Sequence, residues 1–407
     1  MIRALVLLLA VVAGSAVAQD DRELQVNTST TGDQLAPRIE ALLDARFLVV
    51  WQDADAPPGD TDDDGSRIAG RFLDAAGVPS GAAFQVNTTT TGDQLTPRLA
   101  RTTDGSLVVV WTGEQLAFRR FSAGGVVIGD DVTIPPIQTP GVVDVAAGTD
   151  GGFLVVWDCA PLCLGSSGSA IVAQRFDSSG NPASVAQRVH DSTTDDHVKP
   201  RVASLGIDGF VVSWTVDKGL IDVHQVRTRR LDRFGAPFGA ELVLRAPFGG
   251  GSVAQASNGA DRYATISHKV PGAQSPIEVH WFDAADAMLG ADVLGPSIFD
   301  TSAQMSSGGT LDVVFVDGAD LGLVRYDAAR QRVEEHRQLA STGGRQSRPA
   351  SADNGTVRIV VWDSERSHGD DGSGRSIQAR ERFDVVFTDG FESADALRWA
   401  DRIGLVR

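Results

Sequence analysis

Long apolar runs are scarce in this chain of 407 residues. The run Ala4–Val12 near the start is shorter than the ~20 apolar residues that cross a bilayer. With Arg3 before it and the small-x-small triplet Ala16–Ala18 after it, the run is typical of a secretory signal peptide. We therefore predict a signal peptide at residues 1–18, a secreted protein that is extracellular or periplasmic, and no membrane span.

Cysteine is almost absent, with only Cys159 and Cys163 in the whole sequence. In an exported chain, two cysteines this close predict a local disulfide, because a metal site would need further ligands nearby. Negative charge is in excess, with a formal net charge of −17. Because an acidic surface repels phosphate backbones, we expect no nucleic-acid partner.

Familiar catalytic motifs are also missing. The sequence contains no G-x-S-x-G elbow, no H-E-x-x-H pair and no phosphate-binding P-loop. Helical periodicity is weak throughout, whereas short runs of alternating apolar and polar residues are frequent, as in β-strands. These features favour an all-β protein whose role is binding and not catalysis.

A repeat organises nearly the whole mature sequence. The segment LQVNTSTTGDQLAPR, which begins at Leu24, recurs at Phe84 as FQVNTTTTGDQLTPR, 60 residues later. Two signals, a tryptophan position and an RFD-like motif, each occur seven times along the chain. The tryptophan position is held by Trp51, Trp111, Trp157, Trp214, Ser267, Phe315 and Trp362.

Each repeat contains four short strand-like runs, and Asp-Gly pairs mark tight hairpin turns between them. Seven units of four antiparallel strands predict a seven-bladed β-propeller at residues 19–387, followed by a tail at 388–407. One extra fourth-strand sequence stands before the first unit, at Leu24, and the last unit lacks its own. We therefore expect the N-terminal strand to pair into the last blade and close the ring.

The motifs VNTTTTGDQLTPR, DGSLVVVW and QRFD resemble a repeat of secreted and surface proteins of bacteria. The resemblance implies a propeller-type module on an exported protein, and it carries no known active-site residues. The C-terminal sequence DGFES, followed by Trp399, resembles a short tail on exported proteins of proteobacteria.

The predicted topology places the TTGDQ loops, the cysteine loop and the acidic loop DADAPPGDTDDDGS on one face of the propeller, here called the long-loop face. In the acidic loop, Asp60, Asp62 and Asp64 precede Gly65 as in the opening of a D-x-D-x-D-G calcium loop. The closing glutamate is missing, since Arg71 stands at the twelfth position. Two interpretations stay open: a Ca²⁺ site at these aspartates, or a solvated acidic loop.

Arginines recur at the entrance of the innermost strand. Arg38, Arg98 and Arg201 each follow a proline directly, and Arg348 lies just before Pro349. Guanidinium groups at the mouth of the channel would bind an anionic ligand through paired hydrogen bonds. The alternative is that each arginine pairs with a loop aspartate such as Asp33, Asp93 or Asp196.

Three functions are compatible with these features. The first is a monomeric, non-enzymatic binding or adhesion propeller that engages a glycan or a protein through its long-loop face. The second is a secreted polysaccharide hydrolase or lyase, which would need two carboxylates converging at the channel mouth. The third is a passive structural component of a surface assembly. The lack of catalytic motifs favours the first.

Overall fold

The structure of the protein is a computed structural model. It describes residues 23–54, 65–135, 139–160, 162–218, 224–245, 253–268, 275–297, 299–337, 339–340, 344–365 and 374–383. The predicted signal peptide and the predicted C-terminal tail lie outside these ranges, and their boundaries stay predictions.

The described residues form 28 β-strands in seven antiparallel sheets of four strands. The first blade contains β2 (Gln34–Ala41), β3 (Phe47–Asp53), β4 (Arg67–Leu73) and β5 (Pro79–Gln85). The second contains β6 (Gln94–Arg101), β7 (Leu107–Gly113), β8 (Leu116–Phe121) and β9 (Val127–Ile134). The third contains β10 (Thr139–Ala147), β11 (Phe153–Ala160), β12 (Ala170–Phe176) and β13 (Gln187–Arg188).

The fourth blade contains β14 (Asp196–Ser204), β15 (Phe210–Asp217), β16 (His224–Leu231) and β17 (Pro237–Arg245). The fifth contains β18 (Val253–Ser257), β19 (Arg262–His268), β20 (Ser275–Asp283) and β21 (Met288–Ser297). The sixth contains β22 (Phe299–Met305), β23 (Leu311–Asp317), β24 (Asp320–Tyr326) and β25 (Arg332–Arg337). The seventh contains β26 (Gln346–Asp353), β27 (Val357–Ser364), β28 (Ser376–Phe383) and β1 (Glu23–Gln25). Short 3₁₀ turns cover Cys163–Gly165 and Gly206–Asp208.

The N-terminal strand closes the ring. β1 forms the outer edge of the seventh sheet, where Glu23 pairs with Arg380 and Gln25 with Gln378. The innermost strands pack against one another around the whole ring, and β26 contacts β2 as β2 contacts β6. The prediction of a closed seven-bladed β-propeller is therefore confirmed.

Large side chains at one point of the repeat fill the spaces between blades. The five tryptophans at this position are at most 2% exposed: Trp51, Trp111, Trp157, Trp214 and Trp362. Ser267 and Phe315 hold the position in the fifth and sixth blades and are buried too. Trp281 lies elsewhere in the repeat, is 5% exposed and packs edge-to-face on Tyr326. It is therefore a core residue, and it is not available as a stacking platform for sugars.

An arginine on the third strand of a blade ties that blade to the one before it. In β4, Arg71 Nη1 donates to the Val26 carbonyl (2.8 Å) and Nε donates to the Gly81 carbonyl (2.9 Å). Arg119 in the second blade and Arg229 in the fourth make the same two contacts with equivalent carbonyls. Arg71 acts where the two ends of the chain meet, so the closing joint uses the contact found at continuous joints.

The recurring VNTTTTGDQ loop is held to its blade by its own side chains. Asn27 Oδ1 accepts the Ile377 N–H (2.9 Å), and Asn27 Nδ2 donates to Gln34 Oε1 (2.9 Å). Asn87 and Gln94 repeat this arrangement in the second blade. Because an amide side chain here satisfies buried backbone groups, the recurring Asn and Gln are structural.

A pair of histidines replaces the asparagine and glutamine in the fourth blade. His190 stands where the first blade has Asn27, and His197 where it has Gln34. The two buried rings stack with centroids 3.6 Å apart, and Trp214 Nε1 donates to His197 Nδ1 (2.9 Å). Burial lowers the pKa of His190 to about 4 and that of His197 to about 3. Both rings are therefore neutral at neutral pH.

We predict that Arg71→Met weakens the closing joint, because it removes two hydrogen bonds from a charged donor to backbone carbonyls. The free energy of unfolding should fall by about 1–3 kcal/mol, measured by denaturant unfolding. Arg233→Met is the matched control, since Arg233 is exposed and the change removes the same charge. Equal losses in the two variants would contradict the role of Arg71 at the joint.

We predict that the histidine pair makes the fold sensitive to acid. Both folded pKa values lie below the ordinary 6.5, so the unfolded chain takes up protons first. The stability present above pH 6.5 is therefore lost as the pH falls toward 4. The double variant His190→Asn/His197→Gln copies the first two blades. Between about pH 7 and about pH 5, its free energy of unfolding should fall by about 1–2 kcal/mol less per replaced histidine than that of the native protein. Melting curves at both pH values check this, and an identical acid loss in the variant would rule it out.

Candidate functional site

Seven equivalent positions line the channel, one on each innermost strand. Each pairs with the residue just before the tryptophan position, as Arg38 pairs with Val50 and Asp144 with Val156. From the first blade to the seventh, the positions hold Arg38, Arg98, Asp144, Arg201, Ala254, Ser302 and Ala350. The ring is therefore asymmetric, charged over the first four blades and small and neutral over the last three.

A bulge precedes each of the three arginines. The residues before the prolines have positive φ angles: 54° at Ala36, 48° at Thr96 and 57° at Lys199. Strand pairing is interrupted there, because proline has no N–H for the ladder. The preceding blade satisfies the N–H of the bulge: Lys199 N–H donates to Asp158 Oδ2 at 2.7 Å and Ala36 N–H to Asp363 Oδ2 at 3.2 Å. The neighbouring blade thus helps to fix the backbone that carries each arginine.

Each of the three guanidinium groups is anchored to its own backbone. The Nη1 atoms of Arg38, Arg98 and Arg201 donate to the carbonyl of the preceding proline at 2.6, 2.9 and 2.7 Å. Such a bond uses one of the five N–H donors of an arginine. Arg98 Nε also lies 3.7 Å from Asp144 Oδ1. Within the described ranges, Arg38 and Arg201 have no carboxylate within 4.0 Å.

The channel contains a cavity of about 310 Å³. The bulge residues Ala36 and Thr96 belong to its lining, so it reaches the long-loop end of the innermost strands. The charged residues that line it are Arg38, Arg98, Arg201, Arg348, Glu40, Asp144 and Asp300. Hydroxyl and amide groups of Thr301, Ser302 and Gln304 complete the polar wall.

Burial and mutual repulsion act on the arginines of this cavity. Burial, followed by the charge of Arg201, lowers the pKa of Arg38 to about 10. Burial and the charges of Arg38 and Arg201 lower the pKa of Arg98 well below its ordinary value. The side chains of Asp144 and Asp300 oppose these effects. The arginines therefore lie close enough to repel one another in a partly desolvated space, which an anion would relieve.

Glu40 lines the cavity near the end of β2 that lies away from the long-loop face. Burial raises its pKa to about 7, although Arg101 opposes the shift. Glu40 Oε1 lies 4.0 Å from Arg101 Nε. The charge of the cavity is therefore expected to change near neutral pH, when Glu40 loses its proton.

The loop aspartates do not partner the arginines. Asp33, Asp93 and Asp196 each accept a backbone N–H instead, from Arg375, Ser66 and Ser169, at 2.7–2.8 Å. The structure brings the three predicted arginines together with Arg348 in one cavity. The described contacts therefore do not support the alternative, in which these aspartates would pair with the arginines.

Asp144 is the lining residue that sequence reasoning missed most clearly. It does not follow a proline directly, so the Pro-Arg pattern does not detect it. A count back from the tryptophan would have found it, because Arg38, Arg98, Asp144 and Arg201 all stand 13 residues before a tryptophan. Asp300 and Glu40 carry no comparable signal in the repeat.

The other predicted sites have separate outcomes. Cys159 and Cys163 form the predicted disulfide, and both are buried. Asp60, Asp62 and Asp64, the predicted calcium ligands, lie outside the described residues. Among the described residues, no group of three or more His, Cys, Asp or Glu side chains is arranged to hold a metal ion, and no helix is long and apolar enough to cross a membrane.

Comparisons with known proteins agree with the architecture. No protein-family model matches the chain, and no curated protein matches it either. A protein of unknown function from Dyadobacter fermentans is similar in structure, with 10% identity, coverage of 88% of this chain and 97% of its own, and a TM-score of 0.55. The polysaccharide lyase Uly1 has 8% identity, coverage of 88% and 92%, and a TM-score of 0.55. The Dos1 propeller has 12% identity, coverage of 88% and 94%, and a TM-score of 0.50. At such low identity, the likeness shows the β-propeller fold alone.

Proposed function

We propose that this protein is an exported binding propeller that takes an acidic sugar unit of a glycan into its channel cavity. The observation that carries the proposal is the asymmetric ring. Arg38, Arg98 and Arg201 lie on one side of the channel, and the equivalent positions Ala254 and Ala350 on the other side are small. Guanidinium groups on one wall, with small and hydroxyl-bearing side chains opposite them, suit a bound carboxylate or sulfate on a sugar.

The charge balance of the cavity supports an anionic ligand. Three arginines and three carboxyl groups face one another in the cavity, since the fourth arginine, Arg348, pairs with Asp363 at 3.4 Å. The balance becomes positive when Glu40 is protonated, and its pKa is about 7, whereas the whole protein has a net charge of −17. An anion is therefore drawn to this cavity although the protein as a whole repels it.

The size of the cavity favours a glycan over a protein partner. A volume of about 310 Å³ is at the lower end of small-molecule sites and suits one or two sugar units. A protein partner would instead need a contact of roughly 800 Å² on each side. The acidic surface also disfavours the phosphate backbone of a nucleic acid.

A polysaccharide lyase or hydrolase is the second candidate. Glu40 favours it, because a carboxyl group with a pKa of about 7 suits a general base. Asp144 accepts the Val202 N–H at 3.0 Å and lies beside Arg98. Asp300, which also lines the cavity, is therefore the carboxylate that such an enzyme would use with Glu40. The lack of catalytic motifs in the sequence favours binding, and release of shorter or unsaturated products from a bound glycan would decide for the enzyme.

Export rests on the predicted signal peptide and on the disulfide. The disulfide joins Cys159, near the end of β11, to Cys163 in the 3₁₀ turn that follows the strand. Structural disulfides persist in oxidising compartments outside the cytosol, which agrees with a secreted protein. Gel filtration and fractionation of the producing cells test the proposed monomeric state and location.

We predict that Arg38→Gln and Arg201→Gln each weaken binding of polygalacturonate by about tenfold or more, because each removes a charge-assisted contact. Isothermal titration calorimetry with polygalacturonate and a neutral galactan measures the effect. Arg46→Gln is the matched control, since Arg46 bonds to Asp44 and Gly124 on the opposite face. Equal affinity for the neutral galactan, or equal loss in the control, would overturn the proposal.

We predict that binding of the acidic glycan weakens between about pH 6 and about pH 8. The pKa of Glu40 is about 7, so a negative charge appears in the cavity as the pH rises through that value and repels the anion. The variant Glu40→Gln should bind with nearly the same affinity at both pH values. A pH dependence that persists unchanged in the variant would show that Glu40 is not its cause.

A further inference from the structure

A second cavity lies at the joint between the seventh and first blades, away from the channel. We call it the joint groove; it has a volume of about 550 Å³. Its lining includes Thr28 and Ser29 of the loop before β2, Trp51 of β3, and Ala69 and Ala83 of β4 and β5. The equivalent place in the second blade, next to Trp111 and Ala117, holds only about 20 Å³.

Strand register explains which residue opens the groove. Ala83 precedes Phe84, which pairs with Gly70, and the same position in the second blade is Asp131. In the fourth blade the position holds Glu241, next to Leu242, which pairs with Thr228. By the same register, the sixth and seventh blades also hold a carboxylate, Glu335 and Glu23, whereas the third and fifth hold an alanine, as the first does.

The carboxylates of Asp131 and Glu241 bind the loop beside them. Asp131 Oδ2 accepts the backbone N–H groups of Thr88 and Thr89 at 2.7 and 2.8 Å. Glu241 Oε1 accepts the backbone N–H of Asp191, the residue equivalent to Thr88. The other Glu241 oxygen accepts from Arg227 Nη1 at 2.6 Å. At this point of the repeat, the loop is thus a receptor for a carboxylate group.

The first blade has the receptor without the carboxylate. Thr28 and Ser29 are the counterparts of Thr88 and Thr89, and Asn27 holds the loop as Asn87 does. Within the described part of the chain, the N–H groups of Thr28 and Ser29 donate to no protein acceptor.

An indole group adds a third donor. Trp51 lines the joint groove and is 1% exposed, and its Nε1–H is buried without a hydrogen-bond partner. A buried donor without a partner costs free energy, so a polar ligand atom in reach of it would be stabilising. Threonine and serine hydroxyls at Thr28, Ser29, Thr30 and Thr31 surround the same space.

We infer that the joint groove is a second binding site, for the carboxylate-bearing ring of a hexuronic acid. The carboxylate would occupy the place that Asp131 and Glu241 fill in other blades and accept the N–H groups of Thr28 and Ser29. The sugar hydroxyls would meet the loop hydroxyls and the Trp51 indole. This site does not depend on whether the channel cavity binds a ligand.

The test uses the mature protein, ¹⁵N-labelled, and follows its tryptophan indole N–H signals during titration with galacturonic acid. The chain has seven tryptophans, and Trp51→Phe assigns the signal of interest. Galacturonic acid should shift the Trp51 signal, and galactose at equal concentration should not. A shift that is equal with galactose, or no shift with galacturonic acid, would overturn the inference. Repeating the titration with Arg38→Gln separates the two sites, because Arg38 lines the channel cavity and not the joint groove.

The deciding variant is Ala83→Asp, which supplies the carboxylate found in the second blade. It should abolish the shift at Trp51 and leave the melting temperature unchanged or higher. Ala82→Asp is the matched control, because it adds the same charge at the adjacent exposed residue and should keep the response. If the Ala83→Asp variant folds poorly, Ala83→Glu is used in its place, because glutamate holds this position in the fourth blade. A response that survives both substitutions at Ala83 would also overturn the inference.

Discussion

The contact between neighbouring blades is the constraint from which the rest of the architecture follows. A four-stranded blade has two apolar faces, so it is stable only between two other blades, and the ring must close. Closure depends on a non-covalent joint, where β1 completes the seventh sheet and Arg71 holds the Val26 carbonyl. The same arginine contact occurs at joints with a continuous chain, at Arg119 and Arg229. The closing joint is therefore held by the same arginine-to-carbonyl hydrogen bond as these continuous joints.

Hydrogen bonding across these joints also explains why most of the repeat is not functional. The recurring Asn, Asp and Gln of the long loops satisfy backbone groups of their own or the adjacent blade, as Asn27 and Asp33 do. In the fourth blade His190 does this instead, since its Nδ1 hydrogen-bonds the Ser192 carbonyl at 2.6 Å, and the lowered pKa values of His190 and His197 make the pair sensitive to acid. The candidate functional sites therefore lie where the residues of one blade differ from those of the other blades.

Much of the fold was predictable from the sequence because it repeats. The tryptophan spacing and the extra strand at Leu24 predicted seven blades and the way they close. The Pro-Arg pattern predicted that Arg38 and Arg201 share the channel. Their partners were not predictable, because the contacts of a guanidinium depend on the bulge and on the blade beside it. Asp144 was missed because it lies at the same position of the fold without the proline that marks the arginines.

Both proposed sites are places where the repeat leaves its own polar groups incompletely satisfied. Asp144 compensates Arg98 in the channel, whereas Arg38 and Arg201 have no such partner within the described ranges. Asp131 fills the loop of the second blade, whereas Ala83 leaves the same loop unfilled in the first. Unsatisfied donors of this kind lower the stability of a fold unless water or a ligand meets them. An acid group is the common element of the two proposed ligands, because a single acidic side chain meets equivalent donors elsewhere in the ring, as Asp144 meets Arg98 and Asp131 meets Thr88 and Thr89.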